Sequence, residues 1–150
     1  MAENPDEAAL KALEVFVGEW EIETSFDLDP SLGPARATFE WALDGKFLLQ
    51  RADVPHPFPD LFAVIGTDPE TGAYTQHYFD SRGVVRVYEM ELTEKTWTLL
   101  RTKPDFTPLT PFPQRYVGNF EDGGNRISGR WEKAPAGDWE LDFELSYLRA

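Results

Sequence analysis

The chain has 150 residues, no cysteine, and 27 acidic against 14 basic residues, for a formal net charge of −13. That length suits one domain over residues 1–150 with a core that needs no staples, and the lack of cysteine removes disulfides and thiolate metal sites. The charge repels phosphate backbones and anionic lipid surfaces, which argues against nucleic acid and membrane partners. In chain order, Asn4-Pro5-Asp6-Glu7 predicts a helix start: a capping Asn, Pro in the first turn and carboxylates near the positive end of the dipole. Leu10, Leu13, Phe16 and Val17 recur at helical spacing until Gly18, giving one helix over about residues 5–17. With no second helix to build a layered fold, it is placed as an end cap or plug.

From Glu19 onward the pattern changes to alternation. Trp20, Ile22, Thr24 and Phe26 share one strand face, and Glu19, Glu21, Glu23 and Ser25 the other. Near the C-terminus Trp139, Leu141, Phe143, Leu145 and Tyr147 repeat the pattern, which puts Asp142 and Glu144 on the solvent side. Ten strands are predicted, at about 19–26, 35–43, 46–54, 61–67, 73–80, 84–92, 96–103, 114–121, 125–133 and 138–148. Hairpin chemistry joins many of them, including Asp44-Gly45, Asp80-Ser81-Arg82-Gly83 and Asp122-Gly123-Gly124. Short hairpins in series imply an all-β, up-and-down antiparallel sheet, and such a sheet hides its edges by closing into a barrel. Three connections are longer and rich in proline: Asp27 to Pro34, Pro55 to Asp60, and Lys103 to Pro113. They are expected to gather as a lid over one barrel mouth.

Five Trp, five Tyr and eleven Phe fall mainly on the strand patterns, so the predicted lining is aromatic. Polar residues in phase with that lining are the candidate site. Arg101 shares a face with Trp97 and Leu99, and Arg86 with Tyr88, Met90 and Leu92, while Gln76 goes with Tyr74 and Tyr78. A packed core would not hold such cations without partners, whereas a hydrated cavity would. The expected ligand-binding residues are therefore Arg86, Arg101, Tyr88, Gln76, His77, Arg115, Tyr116, Trp97 and Met90, with the arginines meeting a carboxylate or enolate. His77 and Tyr88 are the candidates for acid or base work. His56 and His77 are the only imidazoles, and without cysteine they do not form a zinc pattern. Gly-x-Ser-x-Gly, phosphate-loop and dinucleotide fingerprints are absent.

Val17-Gly18-Glu19-Trp20, Ile65-Gly66-Thr67-Asp68, the run His77-Tyr78-Phe79-Asp80-Ser81-Arg82-Gly83-Val84, and Gly129-Arg130-Trp131-Glu132 together resemble an uncharacterised bacterial lipocalin-like family of the calycin barrels. The resemblance spans most of the chain and implies a closed barrel with an interior ligand but no established reaction. Two relatives frame the alternatives. Nitrobindin-like barrels bind haem through a histidine late in the chain, and no histidine follows His77 here, so no cofactor is expected. Fatty-acid-binding proteins carry a helical lid and a late Arg-x-Tyr pair. Here Asp27 to Pro34 is too short for that lid, and Tyr147-Leu148-Arg149 reverses the pair.

The expected function is binding of a small, largely apolar molecule with a polar or anionic group. The alternatives are a small barrel isomerase, cyclase or hydrolase, and nitrobindin-like haem binding. The start of the chain lacks the basic and apolar regions of a secretory signal, and no apolar run approaches the roughly 20 residues of a membrane helix, so a cytoplasmic monomer or homodimer is expected.

Overall fold

The computed structural model describes residues 4–103 and 111–150. Ten strands form a closed barrel: β1 (Gly18–Thr24), β2 (Ala35–Ala42), β3 (Phe47–Asp53), β4 (Leu61–Thr67), β5 (Tyr74–Asp80), β6 (Val85–Leu92), β7 (Thr96–Arg101), β8 (Gln114–Glu121), β9 (Arg126–Lys133) and β10 (Glu140–Arg149). Each strand pairs antiparallel with its sequence neighbours. The ring closes where β1 meets β10, with Trp20 opposite Arg149, Ile22 opposite Tyr147 and Thr24 opposite Leu145. Alternating burial follows from the period of two, so Ala35, Ala37 and Phe39 of β2 point inward while Arg36 and Glu40 point out.

The helix is shorter than the spacing predicts. α1 covers Pro5–Ala12, and Leu13–Phe16 tighten into a 3-10 turn. Tightening lowers Phe16 into the barrel end, where its ring stacks on Phe39 at 5.3 Å and meets Trp97 edge-on at 4.8 Å. Leu13 and Phe16 are fully buried, each contributing about 2–3 kcal/mol of apolar burial. Tyr74 ties the helix to β5 by donating to the Ala9 carbonyl at 2.6 Å. The chain leaves this plug through Gly18, whose φ of +127° and close approach to the Arg149 guanidinium exclude a side chain.

Because the strands alternate in direction, the connections after β1, β3, β5, β7 and β9 lie at the end away from the helix. Two of the proline-rich loops meet there, with the Phe26 ring 5.0 Å from Phe58 and 4.5 Å from Phe143. The third loop reaches the same mouth at its far end, where Ala134 donates to the Pro113 carbonyl. Its residues 104–110 lie outside the described residues.

One strand departs from simple alternation. In β10 the register slips between Leu141 and Phe143: Leu141 faces Glu132 while Phe143 faces Trp131. The extra residue breaks the face that joined Trp139 and Leu141 to Phe143. Leu141 is exposed, and Trp139 lies outside under the Arg115 guanidinium at 4.3 Å. Asp142 is exposed, as expected, and it borders the barrel mouth and faces Lys133 at 3.8 Å.

Candidate ligand-binding site

The barrel interior holds two spaces with a shared wall. The inner chamber has a volume of about 120 Å³ and is walled by Gln50, Gln76, Tyr88, Trp97, Tyr116 and Trp131. The outer space, about 330 Å³, sits under the mouth against Ile22, Phe26, Leu28, Val54, Phe58 and Phe112. Leu61, Tyr78, Arg86, Gln114, Leu145 and Tyr147 line both, so they form the throat. Phe16 plugs the barrel at the helix end, and the outer space lies under the proline-rich mouth.

The inner wall is polar in an unusual way for a core: three glutamines, Gln50, Gln76 and Gln114, are nearly inaccessible to solvent. Gln50 donates to the Tyr147 hydroxyl at 3.1 Å, and Gln114 Oε1 accepts from the Tyr88 hydroxyl and the Arg101 guanidinium, both at 3.5 Å. Among the described residues Gln76 Oε1 and Trp97 Nε1 have no hydrogen-bond partner although both are buried. In the throat Arg86 lies over the Tyr78 ring at 5.4 Å and hydrogen-bonds Tyr88, and Tyr78 donates to Asp80 at 2.9 Å. Asp80 in turn binds Arg82 at 2.7 Å, and these contacts hold its carboxyl below the usual range although burial works in the opposite direction.

Burial pushes up the hydroxyls of Tyr74, Tyr78, Tyr88, Tyr116 and Tyr147, in Tyr147 to about 12, and the Asp80 charge adds to the effect at Tyr78. These are all five tyrosines of the chain. Their folded-state values lie above the unfolded value of about 10, so their share of stability is complete below that pH. It is lost as pH rises from there through the folded values. Absorbance at 295 nm is therefore expected to show no tyrosinate until the β-sheet circular dichroism collapses. A tyrosine titrating near pH 10 in the folded protein would contradict this burial.

The structure brings together Gln76, Tyr88, Trp97, Tyr116 and Arg86 of the expected site. It does not bring in the others. His77 is exposed on the outer face of β5, because its neighbour Gln76 points inward and adjacent strand residues point opposite ways. The same rule puts Arg115 outside beside the inward Tyr116, where it pairs with Glu132 at 3.0 Å. Arg101 and Met90 do point inward and are buried, but neither lines the two spaces. Arg101 lies opposite Gln114 in the ladder, and Gln114 takes the lining position. Gln50, Gln114 and Tyr147 were not singled out by the sequence. The signal was present in Gln50, which stands in phase with Leu48 and Ala52.

Haem held through an imidazole does not fit this lining. His77 faces outward, His56 is exposed in the loop after β3, and no histidine borders either space among the described residues. Nor do the described residues contain a cluster of His, Asp or Glu able to hold a metal ion, or a helix long and apolar enough to cross a membrane.

No family model and no curated protein sequence matches the chain. Among solved structures it is similar to the crystal structure of Rv2717c from M. tuberculosis, with a TM-score of 0.61 and 14% sequence identity. The similarity covers 95% of this chain and 97% of that one. The likeness is one of fold: a closed, ten-stranded antiparallel barrel.

Proposed function

We propose that this barrel binds one small amphiphile, polar end first, with the apolar body in the outer space and the polar end in the inner chamber. The observation that carries the reading is the gradient along the cavity: the outer space is walled mainly by hydrocarbon and phenyl groups, with Thr24, Arg82 and Asp142 among them, and buried amides and hydroxyls stand beyond the throat. An outer space of about 330 Å³ falls within the roughly 300–1,000 Å³ typical of small-molecule sites. Its walls supply the apolar contact that drives such binding, and the deeper polar groups fix orientation. An acid or base reaction has less support. His77 stands outside, the Tyr88 hydroxyl stays protonated because burial raises its pKa, and no carboxylate lines the inner chamber among the described residues.

Leu61 provides the test, because it borders both spaces at the start of β4 and is only half-buried. An amphiphilic fluorescent dye such as anilinonaphthalene sulfonate is expected to bind saturably with one-to-one stoichiometry. Leu61→Trp fills the throat and is expected to weaken that binding at least about tenfold, which corresponds to about 1.4 kcal/mol. Dye binding that is unsaturable, or indifferent to this substitution in a folded variant, would overturn the interior site.

A further inference from the structure

The inner chamber differs from its throat in charge and shape. Its volume of about 120 Å³ compares with the dry cavity of about 150 Å³ that accommodates benzene in another protein, so it takes one six-membered ring and little else. Its walls suit a ring. Trp131 lies 5.5 Å from Tyr88 and 5.2 Å from Tyr116, and Trp97 lies 5.1 Å from Tyr116, all tilted or edge-on. A planar guest between them would find aromatic faces and edges at several angles.

The polar atoms narrow the class. Gln76 Oε1 needs a donor and Trp97 Nε1 needs an acceptor, and each belongs to a side chain at most 3% exposed. Hydrocarbon satisfies neither atom, and a carboxylate, which only accepts, satisfies one. A hydroxyl donates and accepts, so it can serve either atom. Turning the Gln76 amide over replaces an acceptor with a donor, and a hydroxyl meets that arrangement as well. An anion would also lose its water among amides and rings, with one guanidinium, Arg86, to offset the loss. Arg86, the one charged side chain of the inner wall among the described residues, also lines the outer space and lies against Tyr78 and Tyr88 at the throat.

From this geometry we infer that the inner chamber selects an uncharged, hydroxyl-bearing aromatic ring, a phenolic head group, whose apolar substituent runs out through the throat. The inference rests on the binding reading above. Calorimetric titration at pH 7 with 4-hexylphenol, hexylbenzene and 4-hexylbenzoate tests it. The phenol is expected to bind about tenfold tighter than hexylbenzene and to outbind the benzoate. Gln76→Leu and, separately, Trp97→Phe are expected to bring the phenol to within about threefold of hexylbenzene while hexylbenzene keeps its affinity. Should either variant fail to fold, the ranking on the native protein carries the test. Tightest binding by the benzoate, or equal binding of phenol and hexylbenzene, overturns the phenolic head and leaves amphiphile binding standing. Failure of all three to bind a folded protein overturns both.

Discussion

Arg149→Ala is expected to lower the unfolding free energy by about 2–4 kcal/mol, through the plugged end of the barrel opposite the proline-rich mouth. The 3-10 turn below the plug leaves three successive carbonyls, Val15, Phe16 and Val17, with no helical partner. Arg149 donates to Val15 at 2.7 Å and to Val17 at 2.8 Å, and the Trp20 indole donates to Phe16 at 2.8 Å. The same guanidinium lies 4.1 Å over the Trp20 ring, and Arg149 faces Trp20 across the β1–β10 closure. One side chain therefore caps the plug, covers an indole and joins the first strand to the last. Hydrogen bonds from a charged donor contribute about 1.5–3 kcal/mol each and the ring contact about 0.5–2, with less than full additivity because all three share one group. Lysine recovers little, since its single ammonium cannot fork to two carbonyls while lying flat on a ring. Urea unfolding checks this through the midpoint at constant slope. A loss below about 1 kcal/mol for Arg149→Ala, or full rescue by Arg149→Lys, would contradict it.

The same closure explains why so much of the barrel was legible. All ten strands fall within a few residues of their predicted places, because each carries two faces that only one register can bury. What alternation cannot report is a slip. Nothing in the run from Trp139 to Tyr147 marks the irregularity between Leu141 and Phe143, since a bulge costs one residue and leaves both sides looking regular. The site was half legible for a related reason. Phase tells which residues face inward, as with Arg101 and Met90, but depth within the barrel depends on which neighbouring strand presents a larger side chain at that level. His77 and Arg115 were placed beside inward neighbours, Gln76 and Tyr116, that the period of two puts on the opposite face. The buried glutamines were harder to see, because an uncharged amide on a strand carries no sequence mark of its interior partner.

Gly129→Ala is expected to cost about 2–4 kcal/mol and to weaken ligand binding about tenfold, a large effect for one methyl group. Gly129 of β9 faces Gly118 of β8, and together they leave a shallow bed without side chains on the inner wall. The Tyr116 ring lies in it. A Cβ on Gly129 would overlap the Tyr116 hydroxyl, and one on Gly118 would come within 2.9 Å of both the Tyr116 ring and Ile127. Tyr116 has no easy retreat, being 1% exposed, with Trp97 and Trp131 against it and its hydroxyl bound to the Leu145 carbonyl at 3.0 Å. The added methyl must therefore push the ring into the inner chamber or break the bond to Leu145. The first consequence fills space that a ligand needs, and the second leaves a buried hydroxyl and carbonyl unpaired. Tyr116→Phe removes the overlapping oxygen, so the double variant Gly129→Ala with Tyr116→Phe should be less destabilised than the two single changes summed, by about 1 kcal/mol or more. Strict additivity in that cycle, or a Gly129→Ala protein that binds as tightly as the native chain, would show that Tyr116 does not rest across this glycine pair.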